Sequence, residues 1–127
     1  MQLTKNFNIS EFNCHDGTPV PPELLSNVKE LADNLQVLRD FLGTSLHINS
    51  GYRSPAYNKK IGGAKLSQHV EGKAADISSL KFTPEQIHAA ILQLIGEGKM
   101  KQGGLGIYNS WIHYDTRGTA ARWDLRK

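Results

Sequence analysis

Two short stretches carry side chains that could hold a metal ion. In Ser67-Gln68-His69-Val70-Glu71-Gly72-Lys73-Ala74-Ala75-Asp76, His69 falls in a polar, glycine-flanked turn and Asp76 inside an apolar strand. A carboxylate set between Ala75 and Ile77 is costly to bury unless a cation or several donors compensate it. Strand neighbours point to opposite faces, so Asp76 shares a face with Ala74 and Ser78 and turns away from Ala75 and Ile77. In Trp111-Ile112-His113-Tyr114-Asp115 the same alternation puts His113 and Asp115 on one face. Two residues along a strand is ~6.6 Å, so Asp115 could reach a water held beside His113. Two neutral imidazoles and a carboxylate form the nitrogen and oxygen set that suits zinc with a fourth position open. Such an ion lowers the pKa of a water toward ~7, and a nearby carboxylate, here Asp115, could take the proton. The same residues permit a plainer account: a histidine hydrogen-bonded within a strand, and an aspartate that caps a turn or pairs with an arginine.

Only a fold can bring these stretches together, because a helix separates them in sequence. Leu24, Leu25, Val28, Leu31, Ala32, Leu35, Leu38, Phe41 and Leu42 recur at the three- and four-residue spacing of a helix face, after the Pro19, Pro21, Pro22 cluster and up to Gly43. Thr83-Pro84-Glu85-Gln86 announces a second helix through a capping box, with Ile87, Ala90, Ile91, Leu94 and Ile95 as its stripe and Gly96 or Gly98 as its end. Ser54-Pro55 caps a short helix to Ile61, closed by Gly62-Gly63. Strands are expected at 45–49, 74–78, 104–108 and 111–115, with Asn109-Ser110 as a two-residue hairpin connection. Elements that mix without strict alternation predict an α+β domain with a small, mainly antiparallel sheet, one long N-terminal helix and further helices.

The chain has 127 residues, 39% of them hydrophobic and 21% charged, with a formal net charge of +3. That size predicts one domain over 1–127. Near-average composition excludes a disordered tail or a coiled-coil rod, and no apolar run approaches the ~18 residues of a membrane span. Cys14 is alone, which excludes an internal disulfide and a paired-cysteine knuckle and predicts a small buried residue. Scattered lysines and arginines without interleaved aromatics give no support for nucleic-acid binding. Met1-Gln2-Leu3-Thr4-Lys5-Asn6 lacks the pattern of a secretory signal, so synthesis in the cytoplasm is expected.

Further residues extend the pattern. Ile48-Asn49-Ser50-Gly51-Tyr52-Arg53-Ser54-Pro55, then Asn58, Gly62-Gly63-Ala64, Ser67-Gln68-His69, Gly72, Ala74 and Asp76, then Gly104-Leu105-Gly106-Ile107-Tyr108 and His113-Tyr114-Asp115-Thr116-Arg117-Gly118, resemble the zinc D-alanyl-D-alanine carboxypeptidase family of peptidoglycan peptidases. The resemblance covers nearly the whole chain and implies the fold shared with the hedgehog signalling domain. Its most specific part is Ser-x-His-x6-Asp followed by a His-x-Asp strand. It implies that His69, Asp76 and His113 bind Zn²⁺, and that Arg53 meets the substrate carbonyl or carboxylate with fixed positive charge. Arg53 could instead anchor a loop by pairing with Asp76. Ser67 could hydrogen-bond the substrate or orient the loop. Several branches of the family carry the base as a Glu three residues before the second histidine, where this chain has Ser110. The role then falls to Asp115, unless Asp115 only orients His113.

The function so implied is a zinc metallopeptidase, of D,D- or L,D-carboxypeptidase or endopeptidase type, that hydrolyses amide bonds in peptidoglycan stem peptides or crosslinks as a monomer. The alternative is a non-catalytic, zinc-stabilised module that binds cell-wall peptides or a partner. Without an export signal, action on the wall follows release, as with a small phage endolysin, or unrecognised export. His15, His47 and His88 are read as outside the site. Tyr52, Tyr57, Tyr108, Trp111 and Trp123 line a cleft or fill the core.

Overall fold

The computed structural model describes residues 1–127. After an N-terminal segment with 3-10 turns at Ile9–Phe12 and Pro22–Leu24, helix α1 runs over Leu25–Leu42. Its apolar spacing buries Val28, Leu31, Ala32, Leu35 and Leu38 on one face. Each fully buried leucine contributes about 1.5–3 kcal/mol. Gly43 ends the helix at φ 69°, a left-handed conformation that costs a glycine little, and its N–H bonds Arg39 O at 2.9 Å.

Strand β1 (His47–Ser50) leads to the short helix α2 (Pro55–Lys60), capped by Ser54 Oγ, which accepts from Tyr57 N. Strand β2 (Ala74–Ser78) follows, then helix α3 (Pro84–Gly96). The expected capping box is present: Thr83 N donates to Gln86 Oε1 at 2.9 Å, and Gln86 N to Thr83 Oγ1 at 3.2 Å. Strands β3 (Gly104–Ile107), β4 (Ile112–Asp115) and β5 (Ala121–Asp124) complete the sheet, whose order is β1-β2-β4-β3-β5. Tyr108 N bonds Trp111 O at 3.0 Å, so Asn109-Ser110 is the hairpin tip between β3 and β4.

The chain is therefore α+β with a mainly antiparallel sheet, and two features go beyond the sequence reading. Strand β5 pairs parallel with β3, and the N-terminal segment places Phe7 and Phe12 in the core. Ala-Arg-Trp-Asp has no apolar run, because this edge strand exposes Arg122 and Asp124 while half-burying Ala121 and Trp123. Its identity comes from long-range pairing, which local pattern does not encode.

One face of the sheet presents Ala75, Ile77, Leu105, Ile112 and Tyr114 to a core shared with α1 and α3. The opposite face carries Asp76, His113 and Asp115. Cys14 is buried in the same core. No helix is long and apolar enough to cross a membrane.

Candidate metal centre

In the antiparallel register of β2 with β4, Asp76 stands opposite His113, and Ala74 opposite Asp115. Cross-strand partners share a face, so the pairing delivers the carboxylate and the imidazole to one point. His69 arrives from the turn before β2. There its N–H donates to Ser67 Oγ at 3.1 Å and its carbonyl accepts from Arg53 N at 3.1 Å and Gly72 N at 3.2 Å. The turn and the strands thus bring His69, Asp76 and His113 together, with one ligand atom of each within 4.8 Å of the others.

Hydrogen bonds on the far side of each ring fix which nitrogen faces the centre. His69 Nδ1 lies 2.8 Å from Gly51 O, an obligate acceptor, so Nδ1 carries the hydrogen and Nε2 presents a lone pair. His113 Nε2 lies 2.7 Å from Asp115 Oδ2, which leaves Nδ1 free. His69 Nε2 and His113 Nδ1 each stand 3.4 Å from Asp76 Oδ1. Ligand bonds of about 2.0–2.1 Å in a tetrahedron put neighbouring donor atoms about 3.3–3.4 Å apart. Two of the three donor pairs stand at that spacing and all three atoms lie within 4.8 Å of one another, which fits a divalent cation. The three residues are almost buried, 3–8% exposed, yet all line a cleft of about 560 Å³.

The electrostatics agree. Burial opposes ionisation of Asp76, but hydrogen bonds and charge from His113 and His69 outweigh it and hold its carboxyl well below the usual range. Burial opposes a charged His113, yet Asp115 and Asp76 raise its pKa. The centre favours positive charge between its carboxylates.

Asp115 is fully buried and both its oxygens are engaged. Oδ1 accepts from Gly104 N at 2.9 Å, Arg117 N at 3.1 Å and Arg117 Nε at 2.9 Å. Oδ2 accepts from His113 Nε2 and, at 2.7 Å, from Arg117 Nη2. Burial would raise its pKa, but these partners hold it well below the usual range. Arg53 lines the cleft with its Nη2 3.4 Å from Asp76 Oδ2, while Nη1 reaches Asn58 Oδ1 at 3.3 Å and Nε reaches Ser50 Oγ at 3.4 Å. Ser67 spends its oxygen on the His69 turn and also lines the cleft.

Three residues of the resemblance, Arg117, Gly104 and Gly106, carry roles that the sequence reading did not assign. Arg117 follows Asp115 by two, and that parity was a usable signal. Gly104 and Gly106 alternate in β3 on the site face, the mark of a close approach. A Cβ on Gly104 would strike the Asp115 carboxylate, and one on Gly106 would strike the Trp123 indole. Trp123 thereby packs on His113 with ring centroids 4.9 Å apart, and Arg117 stacks over it at 5.7 Å. Trp123, Tyr108 and Trp111 wall the cleft, whereas Tyr52 is in the core and Tyr57 packs against it. His15, His47 and His88 lie outside the cluster.

A five-stranded α+β scaffold carries a His-Asp-His cluster that lines a cleft and could hold a metal ion. A Peptidase M15 family profile matches residues 3–115, and the chain belongs to that family, that of the zinc D-alanyl-D-alanine carboxypeptidases and of metal-dependent peptidases. No curated protein matches the chain.

Proposed function

We propose that residues 1–127 act as one zinc peptidase domain, a monomer that hydrolyses amide bonds in peptidoglycan stem peptides or their crosslinks. The observation that carries this reading is the pair of imidazole nitrogens, each 3.4 Å from Asp76 Oδ1 and each aimed by a hydrogen bond on its far side. His69, Asp76 and His113 would hold the ion. When bound, zinc supplies polarisation of the scissile carbonyl and activation of a water. Arg53, whose guanidinium borders the cleft beside Asp76, meets negative charge on the substrate. Trp123 excludes water from one side of His113. Of the two roles open to Asp115, its burial and its saturated oxygens favour orienting His113 over taking a proton from the cleft. A site on the wall is reached after release by cell lysis or by export.

One observation favours the second reading, a zinc-stabilised module that binds wall peptides without cleaving them. Ser110 is exposed at the hairpin tip, and the only carboxylate lining the cleft is Asp76 itself. Elemental analysis of the purified protein, followed by mass spectrometry of digested cell wall, separates the two. One zinc per chain with newly released amines supports the peptidase. One zinc without cleavage across crosslink types supports the module, and absence of stoichiometric metal sinks both.

A further inference from the structure

The aromatic wall of the cleft has a second side. Tyr108 and Trp111 stack face to face with ring centroids 4.6 Å apart and planes inclined by only 12°, which leaves each ring one outer face. Trp123 Nε1 donates to the Tyr108 hydroxyl at 2.9 Å and so ties that pair to the ring that covers His113. Tyr108, Trp111 and Leu125 border the metal cleft and also an adjoining hollow of about 620 Å³, completed by Asn109, Asp124, Arg126 and Lys127. Both stacked rings are half-buried, and Leu125 is 57% exposed. Core packing does not call for this arrangement, because neither ring belongs to the core.

From the aromatic wall that the two cavities share we infer that the hollow is a subsite for a pyranose ring of the glycan strand that carries the peptide. This rests on the peptidoglycan reading above. A pyranose offers an apolar C–H face and an edge of hydroxyl and acetamido groups. The hollow offers the matching pair, an aromatic surface and a polar rim, the combination that fixes orientation in small-ligand sites. At the rim, Asp124 and Arg126 hold one another through Arg126 Nε at 2.9 Å, and Asn109 Oδ1 accepts from Lys127 N at 3.0 Å. The Asn109 amide hydrogens and the Lys127 ammonium have no partner within the chain and remain available to a ligand. His113, Trp123, Tyr108 and Trp111 form one run of contacts, through ring centroids 4.9 Å apart, the 2.9 Å hydrogen bond and the stacked pair at 4.6 Å, so a stem peptide with its sugar in the hollow would run along this wall toward His113.

Two measurements test the subsite. First, a tetrasaccharide of N-acetylglucosamine is titrated into the zinc-loaded protein while indole N–H resonances are followed. Saturable shifts of the Trp123 indole N–H, which bonds the Tyr108 hydroxyl, are expected, lost in Trp111→Ala and kept in Trp111→Tyr. No shift at millimolar saccharide, or equal shifts in all three proteins, overturns the inference. Second, kcat/KM is compared for a stem peptide with and without its disaccharide. The expected preference for the glycan-bearing substrate is tenfold or more, and Trp111→Ala reduces that ratio toward one while Trp111→Tyr restores it. Equal rates on both substrates in the wild-type protein overturn the inference and leave the peptidase reading standing. If neither substrate is cleaved, the peptidase reading fails and the titration alone decides the subsite.

Discussion

His113 gives its Nε2 hydrogen to Asp115 Oδ2 at 2.7 Å and turns its Nδ1 to Asp76 Oδ1 at 3.4 Å, so a single ring links a fully buried carboxylate to the His-Asp-His cluster. Arg117 closes the arrangement from behind, with two nitrogens on Asp115 and its guanidinium over Trp123.

Asp115→Asn is expected to weaken zinc binding about 10- to 100-fold, the cost of losing a partner that orients a ligand. Competition with a chromogenic chelator reads the affinity. A variant that binds zinc as tightly as the wild type yet loses turnover would instead make Asp115 the proton acceptor.

Removing the metal should lower stability. An ion that binds only the folded chain adds about 2.7 kcal/mol at a hundredfold excess over its Kd, on the order of 10 °C in Tm for a domain of this size. Chelation should produce that drop in a thermal scan, and zinc should reverse it. His69→Ala, which deletes one of the converging nitrogens, should show the low Tm with or without zinc, together with no turnover. A zinc-dependent Tm in His69→Ala would remove His69 from the site.

Gly106→Ala probes how the cleft wall is seated. The added methyl would overlap the Trp123 indole, which must shift against His113 to admit it. A loss of about 1–3 kcal/mol is expected from overpacking, with a change in Trp123 fluorescence. Denaturant unfolding at wild-type stability would show that the indole can move at no cost.

Acid should loosen the segment in front of the Arg53 turn. The Asp16 carboxylate is held well below its ordinary range by Thr18, through side chain and backbone, and by Ser54, whose hydroxyl donates to Oδ2 at 2.7 Å. A carboxyl with a folded pKa below its unfolded value of about 3.9 binds fewer protons when folded. Its contribution is therefore complete above that pH and lost as pH falls below it. Asp16→Asn lacks the contribution at every pH, so the Tm gap between the two proteins should narrow from about pH 5 to pH 3. A constant gap would show that Asp16 does not titrate with folding.

The helices were legible in the chain because their signals are local. The apolar stripe of α1, its Gly43 stop and the capping box of α3 each act within a few residues. The faces of β2 and β4 were equally legible, since the alternation that turns Ile77 and Ile112 to the core must turn Asp76 and His113 to the opposite face. What the sequence left open was every relation between distant segments. The parallel pairing of β5 with β3, the Gly51 carbonyl that selects the His69 tautomer, and the set of donors that surrounds Asp115 come from contacts across the chain. Residue type determines what a side chain can bind, and strand register determines which partner it meets. Register is set by the sum of core packing, so only the folded molecule decided which of Asp115's two open roles its position favours.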